Sequence, residues 1–365
     1  MSDSQKQVAE ENANQIQVNG DLIIHNGTTL QEAFSIFDTL KTACVELAVS
    51  QAKERVKTLE DKLKERIEKL EERVKVLESF SDPSFQVSLM NAQKSAACSE
   101  NEISIDILTE LIISRVNKGD NVQNRIGINH AIEIIDQVDA ESLCALTVLY
   151  AVENYIYATG NPCEGIKYLN EFYNSLMIPE LRSFDKQWLD GLDILKVIRI
   201  NQAQRFKKFS EYYPSIMGGY SYAGISKDSK EYVEAKKILE KVDALSLLVD
   251  NVFMPGYARL NVVDEAQLDK ILAIVDVDGK QMHVPIKADV SEALHAVWGL
   301  YTKDNKVNKT ASAAFMEEVD SFPAIKQIHE WWDSFPFYFD ITRTGGAIAY
   351  TNAKRIAPDL PELPF

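Results

Sequence analysis

Between residues 56 and 77, the apolar side chains Val56, Leu59, Leu63, Ile67, Leu70, Val74 and Leu77 recur at steps of 3, 4, 4, 3, 4 and 3, and nearly everything between them is charged. Steps of three and four put all seven on one stripe of an α-helix. A stripe this narrow, with no second apolar face, calls for a partner helix to cover it. The helical pattern begins further upstream, so the sequence predicts one helix over about residues 30–80. At 1.5 Å per residue such a helix is a rod of roughly 75 Å. The expected partner of so long a rod is a second copy of the chain, with those seven residues as the interface; the alternative is a lone solvated helix folded back on the body.

The start of the rod is marked by Thr29 and Glu32, spaced as a capping box. Its first half carries a broader apolar face, Leu30, Phe34, Phe37, Leu40, Cys44 and Leu47, suited to packing against more than one seam. In the charged half, Glu60 and Lys64, Glu65 and Lys69, and Glu71 and Lys75 are i,i+4 pairs worth about 0.2–0.5 kcal/mol each. They support a solvated helix and are too weak to drive assembly. The 3-4-4 step around Leu63 departs from strict heptads and slightly unwinds a supercoil. Ahead of the rod, two β-prone runs flank Asn19-Gly20, a strong hairpin signal because both central residues of a type I′ turn need positive φ. Ile16, Val18, Leu22 and Ile24 are the apolar residues of this hairpin. A lone hairpin is marginal in water, so it either joins hairpins of neighbouring copies at the rod's tip or folds against its own helix.

Length allows two or three domains in 365 residues. No apolar run approaches the roughly 18 residues of a membrane span, and residues 1–14 lack the apolar stretch of a secretory signal; the expectation is a cytoplasmic protein with no membrane partner. The four cysteines, Cys44, Cys98, Cys144 and Cys163, form no C-x-x-C pair, which argues against zinc-ribbon and thioredoxin chemistry and fits a reducing compartment. The net charge is −16, yet residues 53–78 hold 9 basic and 8 acidic side chains, leaving 30 basic against 47 acidic elsewhere. So acidic a body repels phosphate backbones and disfavours nucleic acid as a partner.

Asp82-Pro83 is a natural cap and first residue for a new helix and ends the rod. From there the chain reads as successive amphipathic helices with short links, interrupted by a Tyr/Gly/Ser-rich loop at residues 210–230. After Pro255, β-prone runs joined through Asp278-Gly279 form a hairpin, followed by helices, a strand at residues 338–341 and a last helix at 344–354. The expected fold is therefore mainly α. It comprises a polar leader and β-hairpin at 1–29, a long coiled-coil helix at 30–80, an all-helical body at 81–255 and a small α+β domain at 256–365.

Candidate chemistry is sparse. Gly219-Tyr220-Ser221-Tyr222-Ala223 loosely resembles a nucleophile elbow but lacks the apolar parallel strand that must precede one. Asp276-x-Asp278-Gly279 opens like a calcium loop, yet its twelfth position is Lys287 where a glutamate is needed, and the turn reading prevails. His25, His130, His283, His295 and His329 form no His-Glu-x-x-His motif. Thr342-Arg343-Thr344-Gly345-Gly346 could present amides to an anion or be a threonine-capped turn. Trp331, Trp332, Phe335, Phe337, Tyr338 and Phe339 form the densest aromatic patch and read as core. No catalytic, metal or cofactor-binding residue is assigned, and no cofactor is expected.

Several stretches together resemble an uncharacterised bacterial family of long-helix proteins associated with defence-type gene neighbourhoods. They are Gly20-Asp21-Leu22-Ile23-Ile24 before the charged helix, Asp82-Pro83-Ser84-Phe85-Gln86 with Asn91-Ala92-Gln93, Ile107-Leu108-Thr109-Glu110-Leu111 with Arg115, and Thr342-x-x-Gly345-x-x-Ile348-Ala349. The last also resembles the closing strand and helix of winged-helix-like domains. The resemblance implies an accessory or sensing role in antiviral immunity and transfers no catalytic residue. Taken together, the expectation is a non-enzymatic, homo-oligomeric scaffold or sensor that recognises another protein. The alternatives are a hydrolase-like effector with a site in the helical body, and a nucleic-acid sensor acting through a winged-helix-like C-terminus.

Overall fold

The computed structural model describes residues 30–70, 73–119, 121–176, 186–277 and 280–361. The expected hairpin residues Ile16, Val18, Leu22 and Ile24 lie outside them, and the side chains of Val74 and Leu77 are likewise not described. The chain divides into two compact units, residues 1–53 and 54–365.

Helix α1 runs Leu30–Glu68 and α2 runs Arg73–Phe80. The single helix expected over 30–80 is thus broken after Glu68. Past the break, α2 lies against the two helices that follow and buries Val76, so tertiary packing outweighs local helical preference. Asp82 accepts from the Ser84 amide and Pro83 opens α3, Pro83–Cys98. The same chemistry starts the next three helices: Asn101 caps α4 (Glu102–Lys118), Asn121 caps α5 (Val122–Ile134) and Asp139 caps α6 (Ala140–Asn154). Next come α7 (Pro162–Leu176), α8 (Lys186–Ile194), β1 (Ile198–Asn201), α9 (Phe209–Ile216), α10 (Gly218–Ser221), β2 (Ile225–Ser226) and α11 (Lys230–Glu240). The strands β3 (Leu248–Asp250), β4 (Tyr257–Leu260), β5 (Leu272–Val277) and β6 (Lys280–Pro285) follow. The chain then forms α12 (Ala288–Gly299), α13 (Asn305–Asp320), α14 (Pro323–Asp333), β7 (Tyr338–Ile341) and α15 (Arg343–Ile356). The protein is mainly helical with a few strands. Among the described residues, no helix is long and apolar enough to cross a membrane.

The body of residues 54–365 is organised around α6 and α15. Every residue from Ser142 to Val152 and from Thr344 to Ala353 is buried, as befits helices that are apolar or small-residued all round. Helix α15 packs on α4, α5 and α6, and Asn352 Nδ2 donates to Thr147 Oγ1 at 2.9 Å to tie it to α6. Glycines permit close approach on both sides of α15: a Cβ on Gly127 of α5 would fall 3.0 Å from Arg343 Cβ, and one on Gly345 would fall 2.3 Å from the Val197 carbonyl oxygen, just ahead of β1. Strand β7 pairs antiparallel with β1, Ile198 opposite Ile341 and Asn201 opposite Tyr338.

These pairings correct the expected boundary at 255/256. Residues from α13, α14, β7 and α15 share the large core with α3 to α8, while the smaller core joins Ile225, Leu239, Leu260, Leu268, Leu294 and Val297. It lies among α11, α12 and the three-stranded sheet of order β2-β4-β3. No local signal marks this, because β1 and β7 are far apart in sequence and meet only in the fold. The loop expected at 210–230 is also corrected: it holds α9, α10, β2 and the start of α11, with Tyr213 and Tyr220 fully buried. The aromatic patch is core as expected, Trp331 stacking on Trp188 at 6.0 Å and Trp332 meeting Phe206 at 4.9 Å.

Candidate functional site

The seam of α1 has a partner inside its own chain. Leu59 is 0% exposed and Leu63 6%, both in the large core, and half-buried Ile67 and Leu70 pack against it. Polar contacts fix the same arrangement. Arg55 donates to the Ala97 carbonyl at the end of α3, and Gln93 reaches Glu60. On α4, Lys62 Nζ lies 2.5 Å from Asp106 and 3.2 Å from Glu102, and Arg66 Nε lies 2.7 Å from Glu110. The expectation that this stripe needs a second copy is therefore corrected for Leu59, Leu63, Ile67 and Leu70, because the chain turns back after α2 and lays its own helices on it. Val56 is half-buried.

At 3.6 residues per turn, Val45, Ala48, Val49 and Ala52 continue the stripe of Leu59 and Leu63 toward the helix start. Here Val45 is 54% exposed and Val49 47%, and Leu47, on another side of the helix, is 53% exposed.

A cleft of about 710 Å³ opens between α1, α4 and α15. Lys62 and Arg66 line it from α1, Lys69 from just past its end, Asp106 and Glu110 from α4, and Thr351, Lys354 and Arg355 from α15. Burial works against the charge on Lys62, but its hydrogen bonds to Asp106 and Glu102 prevail and raise its pKa above the ordinary lysine value. Arg355 donates through Nε and Nη2 to Asn352 Oδ1 at 3.1 and 3.0 Å. The Thr351 hydroxyl oxygen is buried and has no hydrogen-bond partner. Sequence reading missed this cleft because its walls come from segments some 40 and 240 residues apart. Lys354 and Arg355 in the last turn of a helix also look like an ordinary complement to its dipole.

A cluster of interacting side chains around Glu153 went unnoticed for the same reason. Glu153, in the last turn of α6, keeps contact with solvent but is crowded by protein; the resulting desolvation, with the Asp340 charge adding to it, pushes its carboxyl up to about 7. The Tyr338 hydroxyl donates to Asp340, and Tyr212 stacks on Trp332 beside them.

The residues singled out by motif do not converge. Ser221 is fully buried and its hydroxyl donates to the Pro214 carbonyl at 2.7 Å. Gly219 serves close packing: its amide donates to Val263, and a Cβ would lie 2.2 Å from the Val262 oxygen. His295 Nε2 lies 3.0 Å from Asp269 on the surface, and His329 Nδ1 lies 2.8 Å from Asp320 with its ring on Phe209. His25 and the His283 side chain lie outside the described residues. Thr342 is a helix cap, its hydroxyl accepting from the Gly345 amide while its carbonyl accepts from Gly346, so these amides are engaged and not presented to an anion. Asp278-Gly279 falls outside the described residues, between strands whose register pairs Val277 with Lys280. Among the described residues, no group of three or more His, Cys, Asp or Glu could hold a metal.

A family model described as ":-like" matches residues 31–363, and the chain belongs to that family. No curated protein and no solved structure matches the chain.

Proposed function

We propose that this chain is a homo-oligomeric scaffold or sensor that works by binding rather than catalysis. Residues 1–53 join copies together, and the body of residues 54–365 recognises another protein. The observation that carries the reading is the open face of α1 at Val45 and Val49, with Leu47 exposed on another side. Most helical stability in proteins comes from packing an apolar face. A helix with apolar residues on two sides suits a bundle of several copies better than a two-stranded coil. The β-prone residues Ile16, Val18, Leu22 and Ile24, just upstream, belong to the same proposed junction. On the resemblance alone, the setting proposed is bacterial antiviral defence.

The test is the mass of the full chain by light scattering at tens of micromolar. A multiple of 41.2 kDa is expected, falling to the single-chain mass on Val45→Ser with Leu47→Ser and Val49→Ser. A wild-type chain that is monomeric at that concentration contradicts the proposal.

A further inference from the structure

The geometry of the cleft between α1, α4 and α15 points to a second activity, independent of assembly: we propose that it binds a nucleoside polyphosphate or a phosphorylated ligand of that size. Its volume of about 710 Å³ falls within the roughly 300–1,000 Å³ of small-molecule sites.

Charge is the first argument. The protein carries −16 overall, and an acidic surface repels phosphate. Within the cleft the balance reverses, with Lys62, Arg66, Lys69, Lys354 and Arg355 facing Glu65, Asp106 and Glu110. The cations come from α1 and its end and from α15, and a concave site focuses their field.

The carboxylates act as supports. Asp106 holds Lys62 and Glu110 holds the Nε of Arg66. A guanidinium engaged through Nε still has its two Nη groups for another acceptor, and planar N–H forks are suited to phosphate.

The second argument is Thr351. Its side chain is nine-tenths or more buried, it lines the cleft, and its hydroxyl oxygen has no partner. Buried polar groups are almost always satisfied, and an unsatisfied one costs about 1–3 kcal/mol. It lies three and four residues before Lys354 and Arg355, on the same helical face. A phosphate oxygen held by those two cations would be the acceptor this hydroxyl lacks, once the side chain turns toward the cleft. Ile113 and Pro358 add apolar surface to the lining, against which a nucleoside can rest.

The experiment is isothermal titration calorimetry on the full chain with ATP and GTP, and with inorganic phosphate and adenosine as separate arms. Saturable binding of at least one nucleotide is expected, with adenosine and phosphate at least tenfold weaker. Affinity should fall at least tenfold in Lys354→Gln with Arg355→Gln, and severalfold in Thr351→Val, a near-isosteric change. Far-ultraviolet circular dichroism and the melting temperature confirm that each variant is folded. If the double variant unfolds, Lys69→Gln, at an exposed position, takes its place with an expected severalfold loss. No saturable heat with ATP or GTP up to 5 mM, phosphate binding as tightly as either, or unchanged affinity in the folded variants overturns the proposal.

Discussion

Helix α1 carries one apolar stripe with two environments. Around Leu59 and Leu63 the stripe is sealed by the chain's own helices, and around Val45 and Val49 it faces solvent. Both stretches are apolar at helical spacing, with Val and Ala in the open one and Leu and Ile in the covered one. What differs is whether a later part of the chain returns to cover them. Periodicity therefore specifies that a face must be covered; it does not specify by what. The inference from a long thin stripe to a second copy fails where the chain doubles back, and it retains force only where the stripe stays open.

The largest effect that separates the two stretches is on folding. Leu59→Ala removes a fully buried side chain from the core and is expected to destabilise the body by about 2–5 kcal/mol. Val45→Ala, at an exposed position, is expected to change that stability by less than about 0.5 kcal/mol. Urea unfolding followed by tryptophan fluorescence measures both, since Trp188, Trp331 and Trp332 lie in the core that Leu59 joins. Equal shifts in midpoint would erase the distinction. Likewise, Leu63→Ser with Leu70→Ser is expected to unfold the body; a variant that dissociates while staying fully folded would restore the seam as an interface between copies.

The same contrast explains how much could be read in advance. Local chemistry was legible: Asp82-Pro83 starts α3 as its capping residues require, and the hairpin of β5 and β6 follows the β-prone runs around Asp278-Gly279. The aromatic density around Trp331 translated directly into core. Features made by distant segments were not legible. The strand at 338–341 finds β1, and α15 threads between α4, α5 and α6, so the expected C-terminal domain dissolves into the body. The cleft has walls from three separated stretches, and no one of them looks unusual alone. At 210–230, Gly, Ser and Tyr suggested a loop, whereas the tyrosines are buried and Gly219 is there because backbone passes within reach of its Cβ position.

Charges in the body repeat the contrast between covered and open groups, with a smaller effect. Glu153 is crowded and lies near a like charge, so its carboxyl titrates near 7 instead of 4.5. An unfolded chain loses that proton from about pH 4.5, whereas the folded chain holds it toward pH 7. The folded state is thus favoured by this group below pH 4.5, and that contribution declines as pH rises through about 7. Glu153→Gln cannot ionise and is expected to flatten the decline. Melting temperatures of both proteins between pH 4 and 8 give the comparison, and parallel curves would show that Glu153 titrates normally.

The smallest expected effect is at the partly exposed pair that joins α1 to α4. Lys62 is held above its ordinary pKa by Asp106 and Glu102, so while those carboxylates are ionised the stabilisation from these pairs is complete below about pH 10.5 and is lost as pH rises past the raised value. At neutral pH the lysine is charged in both folded and unfolded chains. Its side chain is 28% exposed and that of Asp106 34%, and ion pairs open to solvent are typically worth about 0–1 kcal/mol. Asp106→Asn is therefore expected to lower the urea midpoint at pH 7 slightly, and less in 0.5 M NaCl than in 20 mM, because salt screens the pair. A loss comparable to that of Leu59→Ala, or one insensitive to salt, would mean that the ion pairs rather than the apolar stripe fasten α1 to the body. The account of why one half of the helix is covered would then rest on charge.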